Sequence, residues 1–229
     1  MIKKQYPFIL AVLLFSCGFV FSQEQTFSMS AGVGGVFSSV FDIEKVHTAV
    51  EPYVMPAAGI NIFFDATYVE AGIDVQYGSR YSLAYPVDPA NSATALTHLG
   101  FSLYGKYPFP LSRITLYPLL GVDFRLFLSG QVYDADGNKF GGKLERGGSV
   151  GGGYTAEDQF DMLSLGVGLG LDFPLPKHFF IRSEFIVKYT FDSTVAGDKR
   201  DTAKKYDFDY VDVVLEPCIK IMFGYRFYR

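Results

Sequence analysis

Beyond its first 22 residues the chain never strings together the roughly 18 apolar residues that a membrane-spanning helix needs. Instead it sets apolar side chains at every second position through eight separate segments. The alternation opens with Phe27, Met29, Ala31 and Val33 and returns over residues 60–64, 69–77, 99–107, 116–126, 163–173, 181–191 and 213–227. A period of two puts each apolar set on one face of a β-strand. Most segments reach the length of about ten residues with which a tilted strand crosses a hydrocarbon layer. The spacing predicts one all-β domain, a single eight-stranded antiparallel up-and-down transmembrane β-barrel. Short connections at 65–67, 108–113 and 174–178 are expected at one end, and four long loops near 38–54, 78–97, 129–160 and 192–209 at the other.

The first residues read as an export signal. Lys3 and Lys4 precede an apolar run from Phe8 to Phe21 that ends in small Ser22. Cleavage after Ser22 gives the expected organisation, residues 1–22 as signal peptide and 23–229 as an outer-membrane β-barrel domain. Cys17 in Leu14-Phe15-Ser16-Cys17 offers a rival, lipoprotein-type cleavage, but bulky Phe15 fits it poorly and the apolar run continues past Cys17. With Cys17 removed, Cys218 has no intramolecular disulfide partner. The formal charge of −4 speaks against a nucleic-acid partner held by bulk positive charge.

Alternation alone leaves open whether the apolar face looks inward, as in a soluble lipocalin-like barrel, or outward into lipid. The opposite face decides for lipid. It carries Gly32, Gly34, Gly59, Gly72, Gly100, Gly121, Gly166, Gly168, Gly170 and Gly224, against only Gly35 and Gly105 on the apolar face. A narrow lumen has use for missing side chains; a solvated exterior has none. The same face holds Glu70, Asp74, Asp123, Asp172, Glu184, Asp212 and Glu216 with Lys106, Arg125, Arg182, Lys188, Lys220 and Arg226, while the apolar face holds no charge. An Arg or Lys on the lipid face at mid-membrane costs roughly 2–4 kcal/mol. Tyr77, Tyr107, Phe109, Phe173, Tyr189, Phe191, Tyr225 and Phe227 fall near strand ends, where aromatic girdles sit.

With these residues in view, the chain resembles the small outer-membrane β-barrels of diderm bacteria, of the OmpA, OmpX and OmpW type. Its last strand, residues 219–229, is similar to their aromatic-rich assembly signal, although it ends on Arg229 where that signal ends on an aromatic. The resemblance implies short turns in the periplasm, long loops outside the cell, outer-membrane lipid around the wall, and engagement of the barrel-assembly machinery through the C-terminal strand.

The thirteen charged residues are the main polar constellation. The favoured reading is a cross-strand ion-pair network that fills a packed polar lumen; the alternative is a narrow porin or OmpW-like channel for small solutes. Asp134, Asp136, Asn138 and Glu145 partly match a calcium loop, but Lys139 stands where that loop needs glycine, and a glycine-containing turn between two short strands is favoured. The glycines at 141–142, 147–148 and 151–153 mark a mobile segment. His98 and Ser102 share a face, yet four residues along a strand is about 13 Å, too far for proton transfer. No enzyme activity, metal or cofactor is expected. Pro118 and Pro217 inside strands predict a bulge or local gap in the wall. The expected role is structural or surface-interacting, with any extracellular ligand met by the loops.

Overall fold

The computed structural model describes residues 27–46, 49–82, 93–134, 136, 138–151, 153–191, 198 and 210–228. The expected signal peptide, Cys17, half of the second loop and nearly all of the fourth lie outside them. Eight long strands form the wall: β1 (Met29–Val46), β2 (Ala49–Ala66), β3 (Val69–Ser82), β4 (Ala93–Lys106), β5 (Ile114–Tyr133), β6 (Met162–Pro174), β7 (Phe179–Thr190) and β8 (Tyr210–Tyr228). Each pairs antiparallel with its neighbours in chain order. Pairing of β8 with β1 closes the ring, so among the described residues each of the eight wall strands has a partner on both sides.

The register fixes the dimensions of the barrel. Starting at Gly32 and following directly paired residues round the ring leads through Phe63, Gly72, Ser102, Asp123, Ser164, Thr190 and Val214 back to β1 at Asp42. The return is ten positions along the strand, a shear of ten for eight strands. With ordinary strand rise and spacing, that shear tilts the strands by about 41° and gives a radius of about 8 Å. An interior this narrow is filled by side chains.

The outward positions are apolar from strand to strand. Ile60, Val167, Phe185 and Ile221 are each at least half exposed, whereas Arg182 and Glu184 are inaccessible. This is the reverse of a water-soluble fold and the polarity of a membrane-spanning barrel. Aromatic side chains crowd the short-turn end, where Tyr107 meets Tyr68 and Phe109, and Phe179 meets Phe223 and Tyr225.

Two expectations are corrected. The first long loop, near 38–54, is strand: β1 and β2 pair to Val46 and Ala49, leaving two residues between them. Only three connections at that end are long. Eighteen residues at this tilt rise about 45 Å, beyond the apolar band of about 25 Å, so the first hairpin stands clear of the hydrocarbon. Of the bulge or local gap expected at the two prolines, Pro217 shows the gap and Pro118 shows neither. Pairing runs through Pro118 to β6 in constant register. At Pro217 the ladder to β1 lapses between Ser38–Cys218 and Phe41–Leu215 and resumes in the same register, a local gap without an extra residue. Pro56 sits beside a matching lapse between β2 and β3. Extra residues in the wall are Leu128 of β5, between the pairs His98–Phe127 and Thr97–Ser129, and Phe227 of β8, between Met29–Tyr228 and Ser30–Arg226.

Polarised infrared spectroscopy on oriented bilayers checks this geometry. The expected mean strand tilt is about 41°, whereas a value near 36° indicates a shear of eight.

Candidate functional site

The inward face gathers its charges around Arg182, which β7 places in the short-turn half of the lumen. Its guanidinium reaches three carboxylates: Asp172 from Nε and Nη2 at 2.7 and 2.9 Å, Glu70 from Nη1 at 2.5 Å and Asp65 from Nη2 at 2.6 Å. Its flat faces are covered by rings, with the Phe63, Phe180 and Tyr117 centroids 4.6, 5.1 and 5.3 Å from Cζ. A planar fork bonds carboxylates in directed, bidentate fashion while its flat faces stack on aromatics, a geometry that the point charge of a lysine does not reproduce. Lys106 donates to Asp65 at 2.6 Å and faces Glu70 as an ion pair at 3.8 Å. Arg226, at the short-turn mouth, approaches Asp172 at 3.5 Å and stays partly exposed.

A second group lies nearer the loops. Arg125 holds Glu216 at 2.5 Å, and Lys188 bridges Asp123 at 2.8 Å and Glu216 at 3.8 Å. Tyr104 donates to Asp123. Between the groups, Glu184 accepts from Tyr117 at 3.0 Å and faces Lys220 at 4.0 Å. Asp74 accepts from Gln76 at 2.7 Å, and Gln76 in turn accepts from Ser38 at 2.9 Å. Of the thirteen residues, eleven are buried in the lumen and Arg226 sits at its mouth. Asp212 is the exception: its backbone pairs with Glu44 above the apolar band, and its side chain is outside the described set. Asp65, expected in a turn, belongs to the network and carries two cations. The parity of Ile60, Ile62 and Phe64 already put it on the lumen side.

The lumen is not polar throughout, which corrects the expected packed polar interior. Val36, Tyr104, Tyr117, Leu119, Ile186 and Cys218 form an apolar middle layer. Phe63, Phe180 and Met222 close the short-turn end, and Val40, Met55, Leu96, Phe127, Ala156 and Phe160 fill the loop end. The glycines account for this. Each of four inward aromatics pairs directly with glycine on a neighbouring strand: Phe63 with Gly32 and Gly72, Tyr104 with Gly121, Tyr117 with Gly170, and Phe180 with Gly224. A Cβ at Gly32, Gly170 or Gly224 would strike the ring itself. Missing side chains make room chiefly for rings rather than for charges; Gly100, beside the Asp74 carboxylate, is the charged case.

The third connection, expected to be mobile, has defined local structure. Residues Lys139–Glu145 pair with the upper part of β5, and a helical turn, Ala156–Phe160, drops Ala156 and Phe160 onto Phe127 and Leu96 inside the barrel mouth. Asp161 anchors it, accepting from the Phe127 amide at 2.7 Å and pairing with Arg146 at 2.9 Å. The Gly147 amide bonds to Glu157, and the Thr155 amide and hydroxyl bond to Asp158; these donors hold both carboxyls below their ordinary range. In the partial calcium motif, Asp134 spends its carboxylate on the amides of Asp136 and Asn138, a side-chain-closed turn, while Glu145 pairs with Lys143. Among the described residues no group of three or more His, Cys, Asp or Glu side chains is arranged to hold a metal ion. His98 packs edge-on against Phe127.

No family model and no curated protein match the chain in sequence. Among solved structures, the chain is similar to Ail, the attachment invasion locus protein of Yersinia pestis, in complex with the heparin analogue sucrose octasulfate. It is 14% identical over 89% of this chain and 100% of that one, with a TM-score of 0.42. Neisserial surface protein A is 11% identical over 89% and 100%, with a TM-score of 0.43. A major outer membrane protein from Thermus thermophilus is 12% identical over 84% and 99%, with a TM-score of 0.42. The chain resembles small outer-membrane β-barrels, and its own register establishes the ring of eight strands.

Replacing Arg182 by Met strands Asp65, Glu70 and Asp172 together in a closed space. The expected loss is about 3–5 kcal/mol of unfolding free energy. Urea titration of the folded protein in micelles, read by heat-dependent gel mobility, checks it. A loss under about 1 kcal/mol means that the network does not carry the fold.

Proposed function

We propose that the protein is an exported, non-enzymatic integral β-barrel of the bacterial outer membrane, with a structural or surface-interaction role borne by its outer loops. The observation that carries this reading is the filled lumen. Arg182 and its carboxylates occupy the short-turn half, Tyr104, Tyr117 and Leu119 the middle, and Phe160 closes the loop end. A conducting pore needs a continuous aqueous path with polar lining. An apolar layer above and within the charged groups interrupts such a path.

The folded third connection supports the second half of the reading. Loops set on a rigid wall carry binding residues, and here the Arg146–Asp161 pair and the buried Phe160 fix one loop against the barrel mouth. It presents exposed acidic and basic side chains outward. The bound sulfated ligand of Ail is a property of that protein; an extracellular ligand for this chain would be sought at the same end of the barrel.

Planar-bilayer recording separates this role from the narrow channel. The expected result is no reproducible single-channel conductance from folded protein. Steady unitary steps that persist across preparations contradict it.

A further inference from the structure

The outer wall changes character at the loop end of β3, β4 and β5. Up to that level it is apolar, with Val75 paired to Leu99 and Leu99 to Leu126. One step further the register sets Tyr77 beside Thr97 and Thr97 beside Ser129, and then Ala95 beside Gln131. The Lys139–Glu145 strand extends this face sideways, placing Lys143 beside Gln131 and Lys139 beside Tyr133. Register irregularities at Thr97/His98 and Gln131/Val132 twist the sheet there. The result is a recess of about 190 Å³ with small residues as its floor, Tyr77 and Tyr133 among its walls, and both lysines lining it.

We propose that this recess binds the phosphate of a membrane-lipid headgroup. The inference rests on the membrane-spanning reading above and names a ligand for its rim. Three features point to a lipid rather than a dissolved anion. The recess opens directly above the lipid-facing belt, so acyl chains lying on Val75, Leu99 and Leu126 bring a headgroup to its level. Tyr77 marks that level as the interface, since tyrosine prefers the depth of the headgroups. Two lysines line a recess whose lining holds no carboxylate, and the Glu145 carboxylate that meets Lys143 at 3.4 Å does so in an exposed pair that a phosphate can displace. Lys139 has no carboxylate partner among the described residues. Lysines at a membrane surface each favour an anionic headgroup by about five-fold.

The test uses full-length folded protein in phosphatidylcholine nanodiscs doped with bis-phosphorylated lipid A, or with the same lipid stripped of both phosphates, and counts the retained lipid by native mass spectrometry. Wild type is expected to retain the phosphorylated form alone. The K139Q/K143Q variant should lose about twenty-five-fold in retention, K139R/K143R should keep it, and Thr97→Phe, which fills the floor without changing charge, should lose it too. Equal retention of both lipids, or indifference to K139Q/K143Q, overturns the proposal. Displacement of the lipid by millimolar inorganic phosphate assigns the recess to free anions and overturns it as well. Heat-dependent gel mobility in the same nanodiscs reports insertion independently: protein that does not insert contradicts the membrane-spanning reading, and inserted protein that ignores the phosphates contradicts the site alone.

Discussion

Backbone amides and carbonyls facing hydrocarbon must find their partners within the protein, because nothing in the surrounding lipid can supply them. That constraint explains why this chain closes. Pairing of β8 with β1 removes the last open edge, and the return of the ring ten positions along β1 sets tilt and radius together. Everything inside follows from that radius. A space about 8 Å from axis to backbone is too narrow for a wide aqueous channel and too wide to leave empty.

The chain fills the space by pairing large inward side chains with absent ones. Phe63, Tyr104, Tyr117 and Phe180 each lie against glycine on the next strand, and the rings of Phe63, Tyr117 and Phe180 in turn box in the Arg182 guanidinium. Charge and ring are thus interdependent. The carboxylates of Asp65, Glu70 and Asp172 neutralise the guanidinium, and the rings keep water from its faces. Above this assembly, Leu96, Phe127 and Phe160 carry no charge at all. The barrel is therefore a stack of unlike layers, and its accessible chemistry is displaced to the loops and the outer rim.

Much of this was legible in the sequence, because a period of two survives wherever one face meets lipid and the other meets the lumen. The eight strands and the lumen side of the charges follow from it. The first hairpin beyond residue 38 does not, because the alternation breaks where Ser39 points outward and Val40 inward, before it resumes at Phe41 and Ile43, and Pro56 interrupts it on the second strand. The inward aromatics were hidden by outward neighbours, as at Phe63-Phe64 and Phe179-Phe180, where adjacent rings take opposite faces. Their signal was present in the glycines, which mark ring sites once the register is known but carry no register themselves. The fold of the third connection depends on Asp161 reaching back to the Phe127 amide, a contact that no local pattern encodes.

Sidedness is the claim on which all of this stands, and spin-label accessibility tests it directly. Single cysteines introduced at Leu169 and Ile221 in a Cys218→Ser background, labelled and reconstituted into vesicles, should relax readily with molecular oxygen and stay shielded from a water-soluble nickel chelate. Relaxation by the chelate at both positions, with oxygen ineffective, contradicts the account.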